Sequence, residues 1–339
     1  MPRPLFRSLA TAIVAIVATV AAIALAGAVR ADTVYFTSFS TGAIVRFDST
    51  NPAGTMTTLS GSGSTVAPAA LAWGPDGNLY VGQDGDGSSL APNVSRFDLG
   101  TQTFTTVHTF AAFEVFPGSF AFKGSDLLVG RNPFYGNTGP IVRLTNVTGG
   151  TVAVSDYTVG GSLASSPGLA IAADGQLYVS DQTYNFISGV ATGPVKQFDA
   201  AGNYVGELIG SGSSGLSGPT GLAISGVTLY TASIMTGNVL QTNLGTDVTG
   251  TFGSAGSPFE VGPLAILSNG DVLAGSPSGS GFIYRFNSSG TLLGTIATGQ
   301  GQIGGLAVAP VPEPGTLLVA AGGIAALGWR TLRRQRRRA

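Results

Sequence analysis

The chain of 339 residues contains no cysteine and a single histidine, His108. The first absence excludes a disulfide framework and thiolate chemistry, so the fold must rest on its apolar core alone. The second leaves one position around which a Ser-His-Asp triad could be built. That position lies in the strand-like run TFTTVHTF, which reads as an outer strand. Charge is scarce as well: Asp, Glu, Lys and Arg make up 10% of the residues. Nine of the 16 basic residues sit at the ends, three before Asp32 and six after Pro310, whereas 16 of the 17 acidic residues lie between. The middle therefore holds seven basic against 16 acidic side chains, a net charge of −9. This argues against nucleic acid as a partner, since Lys and Arg neutralising phosphates supply most of that affinity. Cations or neutral sugars fit an acidic body better. No glycine-rich phosphate loop stands between a strand and a helix.

Both ends are apolar runs with basic flanks. Arg3 and Arg7 precede an uncharged run over residues 8–29, and small residues follow at Ala26, Ala28 and Ala31. This is the pattern of a secretory signal peptide, residues 1–31, cleaved after Ala31 or, as second choice, after Ala28. The run is longer than a usual signal core, so an uncleaved anchor is the alternative. At the other end Pro312, Glu313 and Pro314 precede an apolar stretch over residues 316–329, and then come Arg330, Arg333, Arg334, Arg336, Arg337 and Arg338. Residues 317–329 are all apolar or Gly, but 13 residues fall short of the ~20 that span a bilayer comfortably. A weak transmembrane helix that is later cut away fits better than a permanent anchor. The arginines keep its end cytoplasmic.

This tripartite layout over residues 311–339 resembles the PEP-CTERM sorting signal, processed by exosortase-type transpeptidases in Gram-negative bacteria that make exopolysaccharide or biofilm. The resemblance implies an exosortase partner, transient anchoring in the inner membrane, and delivery to the cell surface or outside the cell. It names Pro312, Glu313 and Pro314 as the sorting motif.

Repeats organise the middle. Leu/Phe-Ala-apolar recurs at Leu71-Ala72-Trp73, Phe120-Ala121-Phe122, Leu169-Ala170-Ile171, Leu222-Ala223-Ile224, Leu264-Ala265-Ile266 and Leu306-Ala307-Val308, with alanines 49, 49, 53, 42 and 42 residues apart. A polar turn follows, such as Asp76-Gly77, Asp174-Gly175 or Asn269-Gly270, and then a second apolar strand, as in Leu79-Tyr80-Val81. A third strand of the form V-x-R-F-D and a fourth complete each unit. Four antiparallel strands with a period in the forties make a propeller blade. The first unit lacks a Leu-Ala strand, and the sixth Leu-Ala strand has nothing after it but the sorting signal. An all-β, six-bladed propeller over residues 32–310, closed by strand 305–309, is therefore expected. A five-plus-one open array and a seven-bladed count are the alternatives.

The segments SPGLAIAADGQLYVSD and APAALAWGPDGNLYVGQ are similar to NHL-repeat and gluconolactonase/regucalcin-like propellers. That resemblance implies a divalent cation at the channel mouth held by Glu, Asn and Asp. The column where those enzymes place their Asn reads Ala69, Gly118, Pro167, Thr220, Gly262 and Gly304 here. The column at the end of the second strand reads Ser38, Gln83, Arg131, Asp181, Ser233 and Ser276, and only Asp181 matches a ligand. Calcium wants six to eight oxygen ligands, so no metal or other cofactor is expected, and a metal-dependent lactonase, hydrolase or lyase is the alternative function. Asp84 and Asp86 are weak candidates for a cation loop. Arg46, Arg96, Arg143 and Arg285 share one repeated position, which suggests a structural role, the stem covering the neighbouring blade.

The loops between second and third strands, and between blades, are long and aromatic in the second to fourth units. Glu114, Arg131, Phe134, Tyr135, Asp181, Tyr184 and Phe186 form the candidate ligand-binding set, a platform for sugar rings beside groups for hydroxyls. A non-enzymatic exported propeller that binds polysaccharide or another surface protein is the expected function. Rings packed under their own loops are the bland alternative.

Overall fold

A computed structural model describes residues 31–59, 65–85, 90–132 and 138–310. The expected signal helix, the Pro-Glu-Pro motif, the apolar stretch 316–329, Asp86, Phe134 and Tyr135 lie outside the described residues. No described helix is long and apolar enough to cross a membrane.

Six four-stranded antiparallel sheets form the blades of a propeller. In the second blade Pro68–Trp73, Leu79–Gln83, Asn93–Asp98 and Thr103–Thr109 follow in order from the inside outwards. His108 is on the outermost of these strands, as its run suggests. Both faces of the third strand are covered: in Asn93–Asp98 Val94 packs toward the third blade and Phe97 toward the first, whereas Arg96 and Asp98 are only half-buried, and β-branched and aromatic residues fit such a pleated surface. The turn before Leu79 needs Gly77, whose φ of +77° lies in the left-handed region.

The ring closes with the last strand. Ile303–Val308 is the innermost strand of the first blade and pairs antiparallel with Thr33–Ser38, with Val34 opposite Val308 and Phe36 opposite Leu306. It starts two residues before the expected 305–309 and ends one earlier, because Ile303 already pairs with Ser38 beyond a register shift. Ala309 N–H then donates to the Thr33 carbonyl at 2.9 Å. The inner edge of Thr33–Ser38 is thereby paired rather than left as a template for aggregation.

The core lies between blades. Tyr80 and Val94 of the second blade pack with Leu127, Val129, Val142 and Leu144 of the third. Tyr80 stands edge-on to Phe122 with ring centres 5.0 Å apart, and its hydroxyl donates to the Val147 carbonyl at 3.2 Å. Burying one such large side chain contributes about 1.5–3 kcal/mol. Around the seam, Val34, Phe36 and Phe47 join Leu273 and Ile283 of the sixth blade in a single cluster.

Three of the four repeated arginines play a structural part, as expected, and do so through ion pairs within their own blades. Arg96 pairs with Asp76 at 2.6 Å, Arg143 with Asp126 at 2.8 Å and Arg285 with Asp271 at 2.8 Å. Each acid lies in or beside the turn between the first and second strands of the same blade, so the guanidinium pins that turn. Arg285 also reaches the first blade, donating to the Ser49 carbonyl at 2.6 Å. In the fourth blade Gln197 donates to Gln176, replacing the ion pair by a neutral one.

Candidate functional site

Each innermost strand starts at one end of the central channel, called here the mouth, and runs to the opposite turn face. Near its start the residues are small. The column Ala69, Gly118, Pro167, Thr220, Gly262 and Gly304 lines the mouth, and below it stands a ring of Leu71, Phe120, Leu169, Leu222, Leu264 and Leu306. These are the first residues of the repeated Leu/Phe-Ala-apolar tripeptides. Together they enclose a well of about 390 Å³, within the usual range of small-molecule pockets. Glycine is required where inner strands crowd each other: a Cβ at Gly168 would stand 1.9 Å from the Thr220 carbonyl oxygen, and one at Gly304 2.0 Å from that of Pro68.

The rim comes from the residues just after the second strands: Phe39, Asn132, Gln182, Ile234 and Pro277, with Gln302 from the last inter-blade loop. The sequence expectation placed the facing column one position earlier. That column, Ser38 to Ser276, instead holds the inter-blade connections. Gln83 Oε1 accepts from Val66 N–H at 2.9 Å, Arg131 Nη1 donates to the Glu114 carbonyl at 2.6 Å, and Asp181 Oδ1 accepts from Ala164 N–H at 2.7 Å. Ser233 Oγ accepts from Ser217 N–H at 2.9 Å, Ser276 donates to the Phe259 carbonyl at 3.3 Å, and Ser38 donates to the Gln300 carbonyl. The same latch occurs six times. Successive side chains of a strand point to opposite sides, so a shift of one residue exchanges latch for rim. Asn132 and Gln182 were thus legible only with the strand register in hand.

The candidate set falls into two groups. Arg131 is buried, and burial pulls its pKa below the ordinary value, opposed by the charges of Asp156 and Glu114. Its Nε donates to the Pro140 carbonyl at 3.0 Å, and the Glu114 carboxylate accepts from Ala111 N–H at 2.9 Å. Asp181 is paired with Lys196 at 2.6 Å, and Lys196 also donates to the carbonyls of Gly161 and Ser162 at 3.0 and 2.6 Å. Tyr184 and Phe186 belong to a separate hairpin, Thr183–Asn185 with Val190–Thr192, rings edge-on with centres 4.9 Å apart. Phe186 and Ile187 are exposed at its tip. None of these five described candidates lines the well.

Asp84 does not line the well but is hydrogen-bonded to Asn132, which does. It is 1% exposed, its Oδ2 accepts from Asn132 Nδ2 at 2.7 Å, and its Oδ1 has no hydrogen-bond partner. Burial pushes this carboxyl well above the usual carboxylate range, against the Asn132 hydrogen bond. The neutral acid is therefore favoured. As a test for a divalent cation, the mouth offers amides and the hydroxyls of Thr220 and Ser119, and no described cluster holds three acidic or imidazole groups. Calcium sites draw on several carboxylates, and these donors do not fit one.

A family model described as the PEP-CTERM protein-sorting motif matches residues 310–334. No curated protein sequence matches the chain. Among solved structures, a chain of the nidogen/laminin complex is 12% identical and superposes with a TM-score of 0.64 over 83% of this chain and 99% of that one. A protein of unknown function from Bacteroides caccae, 12% identical, gives 0.57 over 83% of this chain and 100% of its own. A Bacteroides uniformis protein provisionally assigned as a 6-phosphogluconolactonase, 17% identical, gives 0.53 over 79% and 83%. At such identities the likeness is one of fold. The chain is a six-bladed β-propeller that carries a PEP-CTERM protein-sorting motif, the recognition signal of an exosortase, and that motif implies export.

Proposed function

We propose that this exported propeller is a binding protein that takes an uncharged group of a polysaccharide or surface protein into its channel mouth. One observation carries the reading: among the described residues, no Asp, Glu, Lys or Arg lines the well. Burying an unpaired charge there would be strongly unfavourable, whereas an apolar ring or methyl group would meet the leucine floor and hydroxyls or amides the rim. The poor donor set for a divalent cation weighs against the lactonase alternative, as does the absence of a described basic side chain to meet a phosphate or carboxylate.

Calorimetry of the purified chain with neutral and uronic-acid oligosaccharides from the producing cell's own matrix tests this. Binding of a neutral glycan that is unchanged between low and high salt, and weakened about tenfold by Leu222→Asn or Gln182→Ala, is expected. Saturable hydrolysis of a lactone that a chelator abolishes would overturn the reading in favour of the enzyme.

A further inference from the structure

The seam that closes the ring also fixes where the chain leaves it. Ile303–Val308 is innermost, beside the channel axis, and runs from the mouth, where Ile303 and Gly304 line the well, to the turn face. Thr33–Ser38 runs the other way beside it, ending near Phe39 at the rim. Asp32 and Ala309 therefore lie next to each other on the turn face, and Asp32 touches Ser268 in the turn between the first and second strands of the sixth blade.

The apolar stretch begins at Thr316, so only residues 311–315 separate it from Pro310. Even fully extended, five residues reach roughly 17 Å. Blade strands of four to seven residues are themselves roughly 13–23 Å long at ~3.3 Å per residue, and loops add to both faces. A tether that short, attached near the axis of the turn face, cannot carry the mouth round to its own side.

We infer that, while the C-terminal apolar stretch is held in a lipid bilayer, the propeller stands with its turn face to the membrane and its channel mouth outward. This rests on the reading of that stretch as a transient anchor and on no property of the ligand. The well is then open to a ligand before processing as well as after it. Any group joined near Pro314 by a transpeptidase would be attached on the side away from the well.

The lack of cysteine makes the test clean, since an introduced thiol is the sole one. Ser125→Cys places it on an exposed turn between first and second strands, and Ile187→Cys at the fully exposed tip of the mouth-face hairpin. The full chain, labelled with bimane, is reconstituted into phosphatidylcholine–phosphatidylglycerol vesicles containing a nitroxide-headgroup lipid and purified by flotation. Quenching at position 125 should exceed that at position 187 several-fold. Equal quenching, or stronger quenching at 187, would overturn the orientation. Protein that does not float would overturn the anchor reading and the orientation with it, and neither result bears on glycan binding.

Discussion

Asp32 and Ser268, 236 positions apart in sequence, are joined by two hydrogen bonds: Asp32 Oδ2 accepts from both the backbone N–H and the hydroxyl of Ser268, each at 3.0 Å. The contact ties the start of the described fold to the sixth blade and reinforces the strand pairing that closes the ring. Hydrogen bonds to a charged group contribute about 1.5–3 kcal/mol each. Asp32→Ala, which loses both, is expected to lower stability by about 3–6 kcal/mol and Ser268→Ala, which keeps the backbone donor, by about 1.5–3 kcal/mol. Urea melts of both variants check this. Equal small losses would mean that the seam is held by the strand ladder alone.

The buried Asp84 predicts a pH dependence. Its folded pKa is raised, chiefly by burial. The protonated form therefore favours folding fully below the unfolded pKa near 3.9, and that contribution is lost as pH rises toward the folded pKa, at up to about 1.4 kcal/mol per pH unit. Asp84→Asn removes the titration while keeping a polar partner for Asn132. The variant should match the parent in melting temperature near pH 3.5 and exceed it at pH 7–8. A gap that is constant across this range would show that Asp84 is already ionised in the fold.

Asp181 and Lys196 form an ion pair with little exposure, so removing either partner strands the other. Asp181→Ala and Lys196→Ala should each cost about 3–5 kcal/mol. The double variant should be less destabilised than the sum, by a coupling of about 1–3 kcal/mol in a double-mutant cycle. Ligand affinity of the folded variants should be unchanged, because neither side chain faces the well. A selective loss of affinity would return Asp181 to the binding set.

At the C-terminus, intact mass of the protein recovered from the cell surface should lack Arg338, with an end near Pro312-Glu313-Pro314. The precursor should persist at full mass in cells from which the exosortase is deleted. A mature surface form that retains the arginines would contradict processing.

The six-fold repeat and the closing strand were legible from sequence because both are written in local chemistry. Leu/Phe-Ala-apolar followed by a left-handed turn residue specifies a hairpin, and five such hairpins plus the closing tripeptide Leu306-Ala307-Val308 number the six blades. The sorting motif was equally legible, being a linear order of turn, apolar stretch and arginines. The site was not. Whether Arg131 or Asn132, Asp181 or Gln182 faces the channel depends on a one-residue register that hydrophobic pattern leaves open at a strand end, where neither side is fully apolar. Only the packed ring decides it, because only there do the inter-blade connections arrive to claim one column as latches. The charge of the well is decided the same way. A body of −9 surrounds a mouth lined by no described charge, since the acids are drawn into turns, latches and arginine pairs by contacts between residues distant along the chain.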